Sequence, residues 1–198
     1  MRRLAAALAW IAWCAAAHAE GDAGCTIALA RTDAAGVATY AAECRWPVAP
    51  RFVSEIVGDS AAIAEASTSL AESTELADGR VVNVHSPGWP IGDRQSTLAI
   101  DKRPLPEGGL LLTYTLAREQ APLGRGRVQA RRDDGRWEIR AHAGGTLLRY
   151  ETTYDAGGGL PVSLVQRTVR ASVAESLAEL REAAEQRARR AGRSATEG

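Results

Sequence analysis

The segment Asp155-Ala156-Gly157-Gly158-Gly159-Leu160-Pro161 separates a strand that ends near Tyr154 from the longest predicted helix of the chain. The helix is marked by apolar residues that recur every three or four positions: Val162, Val165, Val169, Val173, Leu177, Leu180 and Ala184. At 100° per residue these side chains share an arc of about 120°, as on a helix that packs on one side. Pro161 suits a first helical position, where a missing N–H is not needed. Neither Gly nor Pro interrupts residues 162–191, so the sequence predicts a helix of about 25–30 residues.

The chain before this helix is predicted to form strands. Short segments alternate apolar and polar residues and are separated by turn residues. They cover residues 26–31, 37–43, 68–72, 80–85, 93–102, 110–116, 126–131, 136–142 and 146–154. Because a long helix with one apolar face needs a large partner surface, the predicted fold class is α+β, with a curved antiparallel sheet wrapped around the C-terminal helix.

Local signals add detail to this prediction. Two short helices are expected after the first strands, one with Pro50 near its start and one capped by Asp59 or Ser60. Asp133-Asp134-Gly135 is interpreted as the turn before the strand 136–142.

The N-terminus has the composition of a secretory signal peptide. An Arg-Arg pair follows Met1, residues 4–17 are apolar and rich in Ala, and Ala17-His18-Ala19 is a small-x-small cleavage site. The sequence therefore predicts a signal peptide over residues 1–19 and a periplasmic or secreted protein.

A folded domain is expected over residues 20–186, followed by a polar, disordered tail over residues 187–198. In an alternative interpretation, Ile11-Ala12-Trp13-Cys14 is a lipobox and Cys14 is lipidated, although the bulky Trp13 disfavours this.

Cys25 and Cys44 are the only thiols of the predicted mature chain. An even pair in an exported protein indicates a disulfide. If Thr32 pairs with Val37 in the first hairpin, Cys25 lies directly opposite Cys44, within bonding range. The alternative is two separate buried thiols.

Charge and motifs limit the function. The predicted mature chain has a net charge of about −2 with both signs interspersed, so no nucleic-acid partner is expected. The sequence lacks G-x-S-x-G, P-loop and H-E-x-x-H motifs, and no catalytic residue or cofactor is predicted. Glu138 and His142 are interpreted as part of a solvated strand face and not as a metal site.

Three segments resemble the START-like (SRPBCC) superfamily of lipid-transfer proteins, whose fold is the helix-grip. Residues 87–94, Pro-Gly-Trp-Pro-Ile-Gly-Asp-Arg, resemble the family's motif that leads into a strand. Residues 135–150 resemble its penultimate hairpin, and the loop and helix from Asp155 to Arg181 are the most specific match. The resemblance covers residues 46–185. Family members often follow the Arg with an acidic and an aromatic residue, whereas Gln95 and Ser96 stand here.

The resemblance implies a cavity between the sheet and the C-terminal helix that binds a hydrophobic small molecule or lipid, with transient membrane contact. The residues expected to contact the ligand are Arg94, Trp89, Tyr114, Trp137, Tyr150, Gln166, Val169, Val173 and Ser176. In the family the Arg can contact a lipid headgroup.

Several alternatives stay open at this point. Arg94 can instead pair structurally with Asp93, Glu72 or Glu151. Gln166 and Ser176 can lie at the edge of the apolar arc, and the aromatic residues can be plain core.

The function has two alternatives as well. One is an enzyme of the same superfamily that acts on a lipid-like or polycyclic substrate, for which Glu72, Glu151 and His85 are the acid or base residues to inspect. The other is an interaction module with a filled core.

Overall fold

The computed structural model describes residues 20–21, 24–88 and 91–194. Its strands are β1 (Glu20–Gly21), β2 (Cys25–Thr32), β3 (Ala38–Trp46), β4 (Leu70–Glu75), β5 (Val81–His85), β6 (Arg94–Leu105), β7 (Gly109–Leu116), β8 (Val128–Gln129), β9 (Arg132–His142) and β10 (Gly145–Asp155). Its helices are α1 (Pro50–Val57), α2 (Ser60–Glu65) and α3 (Val162–Ser194). The predicted signal peptide, Trp89 and residues 195–198 lie outside the described residues.

Within the described residues the strands form one curved sheet in the order β1-β2-β3-β10-β9-β7-β6-β5-β4. Neighbours along this path are antiparallel, and the short β8 adds to β6 in parallel. The long helix α3 packs on this sheet, and the buried core lies between them and α1. The predicted α+β, helix-grip architecture is therefore confirmed.

The first hairpin is closed by a disulfide between Cys25 and Cys44, whose Cα atoms are 4.1 Å apart. The predicted bond is confirmed, but the predicted register of the turn is wrong. Thr32 pairs with Ala38 instead of Val37, and a bulge between Leu29 and Arg31 shifts the register by one residue. Because the bulge adds one residue to β2, Cys25 still lies opposite Cys44 despite the different turn.

The two short helices begin where the sequence predicts. Pro50 occupies the first turn of α1, whose residues Phe52, Val53, Ile56 and Val57 are buried in the core. Asp59 is the N-cap of α2, since its Oδ1 accepts a hydrogen bond from the backbone N–H of Ala62 (2.8 Å).

The segment Asp133-Asp134-Gly135 is not a turn, contrary to the sequence interpretation. It lies inside β9, where Asp133 pairs with Tyr154 and Gly135 with Thr152 of β10. The composition is typical of a turn, but the glycine is required by packing, because a β-carbon there would overlap the phenol group of Tyr114.

The two halves of α3 have different roles. Val173, Leu177, Leu180 and Ala184 are buried in the core, whereas Val165 and Val169 are partly buried and Val162 is 47% exposed. The predicted apolar arc is therefore correct except at its first residue. The helix also extends to Ser194, further than the sequence predicts, so residues 187–194 are helical. Among the described residues, no helix combines the length and apolar character that crossing a membrane requires.

Candidate ligand-binding site

A cavity of about 190 Å³ lies between α3 and the sheet. Its floor consists of apolar residues from β6 and β7, including Leu98, Ile100 and Leu112. Its cover consists of Val165, Val169, Val173 and Leu180 of α3, and Ile63 of α2 closes one side. The alternation of β6 explains this arrangement, because residues two apart point to the same face of a strand.

Three aromatic residues, Tyr114, Trp137 and Tyr150, line part of this cavity and belong to or pack against the core. Trp137 and Tyr150 face each other on β9 and β10, with ring centroids 3.9 Å apart. The Tyr114 hydroxyl donates to Thr152 Oγ1 (3.1 Å) and lies 3.2 Å from the Tyr150 hydroxyl. Burial raises the pKa of both phenols, so they stay neutral at physiological pH. These aromatic residues line the cavity, as the resemblance implies.

Ser176 lines the cavity, but Gln166 does not. The Ser176 hydroxyl lies 3.2 Å from that of Ser69, which also accepts a hydrogen bond from Ser172. The Gln166 side chain instead donates to the backbone carbonyl of Gly36 (2.9 Å) and borders a smaller space near that turn. Gln166 is therefore explained by a structural hydrogen bond.

Arg94 is buried beside the cavity, with 4% of its surface exposed. Its Nε donates to the carbonyl of Ala156 (2.8 Å), and its Nη1 donates to the carbonyls of Ile91, Gly92 and Asp93. No carboxylate contacts it within the described part of the chain, since Glu72 pairs with Arg127 and Glu151 pairs with Arg31.

The loop that supplies the Ala156 carbonyl depends on glycine. Gly157, Gly158 and Gly159 all have positive φ angles (66°, 72° and 69°), which other residues rarely adopt. This loop brings Ala156 against the guanidinium group, and the sequence of the loop therefore determines how the charge of Arg94 is compensated.

One end of the cavity is polar. We call Asn83, His85, Asp133 and Tyr154 the polar cluster; all four line the cavity. Asp133 is 4% exposed and accepts a hydrogen bond from Ser96 Oγ (2.6 Å).

His85 lies close to two members of this cluster. Its ring packs edge-on against the Tyr154 ring, with centroids 5.6 Å apart. Its Nε2 is 3.9 Å from Asp133 Oδ2, which is too long for a direct hydrogen bond.

Burial sets the charge of this end. Desolvation lowers the pKa of His85 and raises the pKa of Asp133, and the attraction between the two groups opposes both shifts only in part. Burial also raises the pKa of Tyr154. His85 is therefore neutral at pH 7, and the cluster disfavours additional negative charge.

Known structures with the same fold contain the same sheet and C-terminal helix. A STAR-related lipid transfer protein from Xanthomonas axonopodis has a TM-score of 0.72 and 21% identity, over 86% of this chain and 97% of that one. Human StAR-related lipid transfer protein 5 has a TM-score of 0.72 and 16% identity, over 82% and 83%. A START superfamily protein from Mycobacterium smegmatis has a TM-score of 0.54 and 15% identity, over 77% and 97%. The fold is START-like. The sequence itself matches no protein-family model and no curated protein.

The START-like fold brings together residues that the sequence interpretation did not connect. The sequence composition predicts a turn at Asp133 and indicates neither Asn83 nor Tyr154 as a ligand contact. The alternation of Tyr150, Thr152 and Tyr154 on one face of β10 was a usable signal for Tyr154. No comparable signal marks Asn83, since its position depends on which strands become neighbours.

Proposed function

We propose that this protein binds a lipid-like molecule in the cavity between α3 and the sheet, and transfers it. The observation that carries the proposal is the composition of the cavity: apolar residues from both layers form much of its lining, and the polar groups include the polar cluster, several serines and threonines, the hydroxyls of Tyr114 and Tyr150, and the cations Arg94 and Lys102. Ligand pockets combine an apolar lining with a few placed polar groups in this way. The START-like neighbours named as lipid transfer proteins support the same class of ligand.

The size of the cavity restricts the ligand. Pockets for drug-sized molecules have volumes of about 300–1,000 Å³, and this cavity has about 190 Å³. It therefore accommodates a small apolar molecule or the end of a longer one, and a larger ligand requires α3 to move away from the sheet.

The ligand is best identified on protein purified from its own host under native conditions. Native mass spectrometry should show a fraction of the molecules with added mass, and organic extraction should release one class of apolar compound. Protein refolded from denaturant serves as the control and should lack the added mass. If the native and refolded proteins have the same mass, and neither takes up apolar compounds, the proposal is wrong.

We also propose that the protein is exported and contacts a membrane surface during transfer. The disulfide supports export, because such bonds persist in oxidising compartments.

A second candidate function, an enzyme, is favoured by one observation: His85 is neutral and lines the cavity beside Asp133. A neutral imidazole is a suitable general base. If the protein is an enzyme, His85→Gln should keep ligand uptake and abolish the conversion of the extracted compound, followed by mass spectrometry. If wild-type protein returns the compound unchanged, this alternative is excluded for that compound.

A further inference from the structure

Two polar atoms of the polar cluster have no hydrogen-bond partner among the described residues. They are Oδ1 of Asn83 and Oη of Tyr154, and both residues line the cavity. Buried polar atoms are nearly always paired in native proteins, and exceptions point to an ion, a water or a ligand. The third such atom, Oγ of Ser54, belongs to α1 and not to the cavity.

Asn83 and Tyr154 belong to one continuous row across the sheet. Asn83 on β5 pairs with Ser96 on β6, and the Ser96 hydroxyl donates to Asp133 on β9. Asp133 in turn lies directly opposite Tyr154 on β10. Both unpaired atoms therefore belong to residues that are linked through this row and that line the cavity.

The chemistry of these atoms favours a hydroxyl group as their partner. The amide of Asn83 presents an acceptor oxygen next to a donor nitrogen, and the phenol of Tyr154 can donate or accept. A hydroxyl group also donates and accepts, so it can pair with Asn83 in either orientation of the amide, and it can pair with Tyr154. An ether can only accept and leaves the Asn83 oxygen unpaired.

The electrostatics disfavour an anionic group at the same place. The Asp133 carboxyl is almost fully buried there, and an anionic ligand group would lose its hydration and share this poorly solvated site with a second acidic group. Arg94 also lines the cavity, and its Nε and Nη1 donate to backbone carbonyls. Burial and then Asp133 raise the pKa of Tyr154 and outweigh the opposing charge of Arg94, so a negative charge is disfavoured at this hydroxyl.

We infer that the polar cluster binds the hydroxyl group of an uncharged, otherwise apolar molecule, such as a long-chain or polycyclic alcohol. This inference rests on the proposed binding function and names its class of ligand. It assigns the contacts with the ligand's polar group to Asn83 and Tyr154, and leaves Arg94 with a structural role.

The test compares three probes with the same alkyl chain: 1-decanol, its methyl ether and decanoate. Each displaces the neutral fluorophore N-phenyl-1-naphthylamine from the purified protein at pH 7.5, below the solubility limit of the probe. We expect the alcohol to bind at least about fivefold more tightly than either analogue, because one additional buried hydrogen bond contributes about that factor.

The variant Tyr154→Phe removes only the unpaired hydroxyl. It therefore tests the contribution of this hydroxyl to ligand binding without breaking a hydrogen bond that stabilises the fold. The variant should bind the alcohol and the ether more weakly by a similar factor, because the phenol can donate to either oxygen. Without ligand, its melting temperature should equal or exceed that of the wild type, because an unpaired buried hydroxyl is removed. Asn83→Leu should instead lose most of the preference for the alcohol over the ether and keep the affinity for the ether, because the amide oxygen can pair only with the alcohol.

Tyr40→Phe is the matched control. The Tyr40 hydroxyl donates to the backbone carbonyl of Gln166 (3.0 Å), and Tyr40 does not line this cavity. This variant should melt at a lower temperature with an unchanged preference for the alcohol.

The outcomes distinguish this inference from the function on which it rests. If the fluorophore and all three probes fail to bind, both are wrong. If all three probes bind equally, or decanoate binds best, the cavity binds apolar molecules but the hydroxyl site is wrong. The inference is also wrong if Asn83→Leu keeps the full preference for the alcohol, or if Tyr154→Phe binds the alcohol as tightly as the wild type does.

Discussion

The phenol oxygen of Tyr114 lies 2.5 Å from the point where a β-carbon would stand on Gly135. The ring of Tyr114 therefore covers β9 at this residue, and its hydroxyl reaches Thr152 of β10. The absence of a side chain at Gly135 thus leaves room for Tyr114, whose hydroxyl bonds to Thr152 in the lining of the cavity.

The first prediction concerns this contact. Gly135→Ala should destabilise the protein by about 1–3 kcal/mol or more, because the added methyl overlaps both Tyr114 and the backbone carbonyl of Glu151. Urea unfolding measures the change. Gly192→Ala, in α3 with open space around the new methyl, is the control and should be neutral or stabilising. A Gly135→Ala protein as stable as the wild type would show that Tyr114 does not hold this position.

The same residues show why sequence reasoning fails locally. Hydrophobic periodicity predicted α3 well, because the period of a helix is a property of neighbouring residues. Asp133-Asp134-Gly135 has the composition of a turn, and the distant residues Tyr114 and Glu151 explain the glycine in a strand. Whether these three residues form a strand or a turn depends on tertiary contacts, which the local composition does not reveal.

The second prediction concerns Arg94. Arg94→Ala removes the donors that several buried carbonyls use, so it should destabilise the protein by about 1–3 kcal/mol or more. Relative affinities for anionic and neutral probes should not change. Arg103→Ala, on an exposed ion pair with Asp101, is the control and should have little effect. Selective loss of anionic ligands with unchanged melting would instead establish a headgroup contact.

The partners of Arg94 could not be predicted from its neighbours in sequence. The sequence predicts that Arg94 lies on the same strand face as Leu98 and Ile100, and therefore that it points inward. The charge of Arg94 is compensated in part by the backbone carbonyl of Ala156, which lies 62 residues away in the sequence. The position of this carbonyl depends on the positive φ angles of the glycine loop. Asn83 and Tyr154 are separated still further and line the same cavity only through the order of five strands, β5-β6-β7-β9-β10.

The third prediction is the pH dependence of stability. The pKa of His85 is lowered in the folded state from its ordinary value of 6.5. The unfolded chain therefore binds a proton at His85 more readily than the folded chain does. The stability that His85 contributes is lost as the pH falls below about 6.5. His85→Gln should lose less stability between pH 7.5 and 5.5, whereas the exposed His142→Gln should resemble the wild type. Thermal unfolding at several pH values measures this, and equal losses in all three proteins would contradict it.

Asp133 should have the opposite effect. Its folded-state pKa is raised, so its carboxyl binds a proton more readily in the native state and contributes stability as the pH falls toward about 4. Asp133→Asn removes this contribution, so the variant should lose stability more steeply on acidification than the wild type. A shallower loss in Asp133→Asn would contradict the raised pKa.

The fourth prediction concerns processing. Protein recovered after export should begin at Glu20 and contain the Cys25–Cys44 bond, which alkylation before and after reduction detects by intact mass. Two alkylatable thiols in the unreduced protein would contradict the disulfide. A diacylglycerol adduct on Cys14 would contradict cleavage after Ala19.

The central claim is that α3 covers a cavity that binds an apolar molecule, and Val169→Trp tests it most directly. Val169 lines the cavity, whereas Val162 on the same helix does not and is 47% exposed. Titration with N-phenyl-1-naphthylamine compares wild type, Val169→Trp and the control Val162→Trp, each shown to be folded by circular dichroism. We predict that Val169→Trp loses at least about tenfold in affinity, because the indole fills the cavity, and that Val162→Trp binds like the wild type. Equal binding by all three folded proteins would place the site elsewhere and contradict the claim.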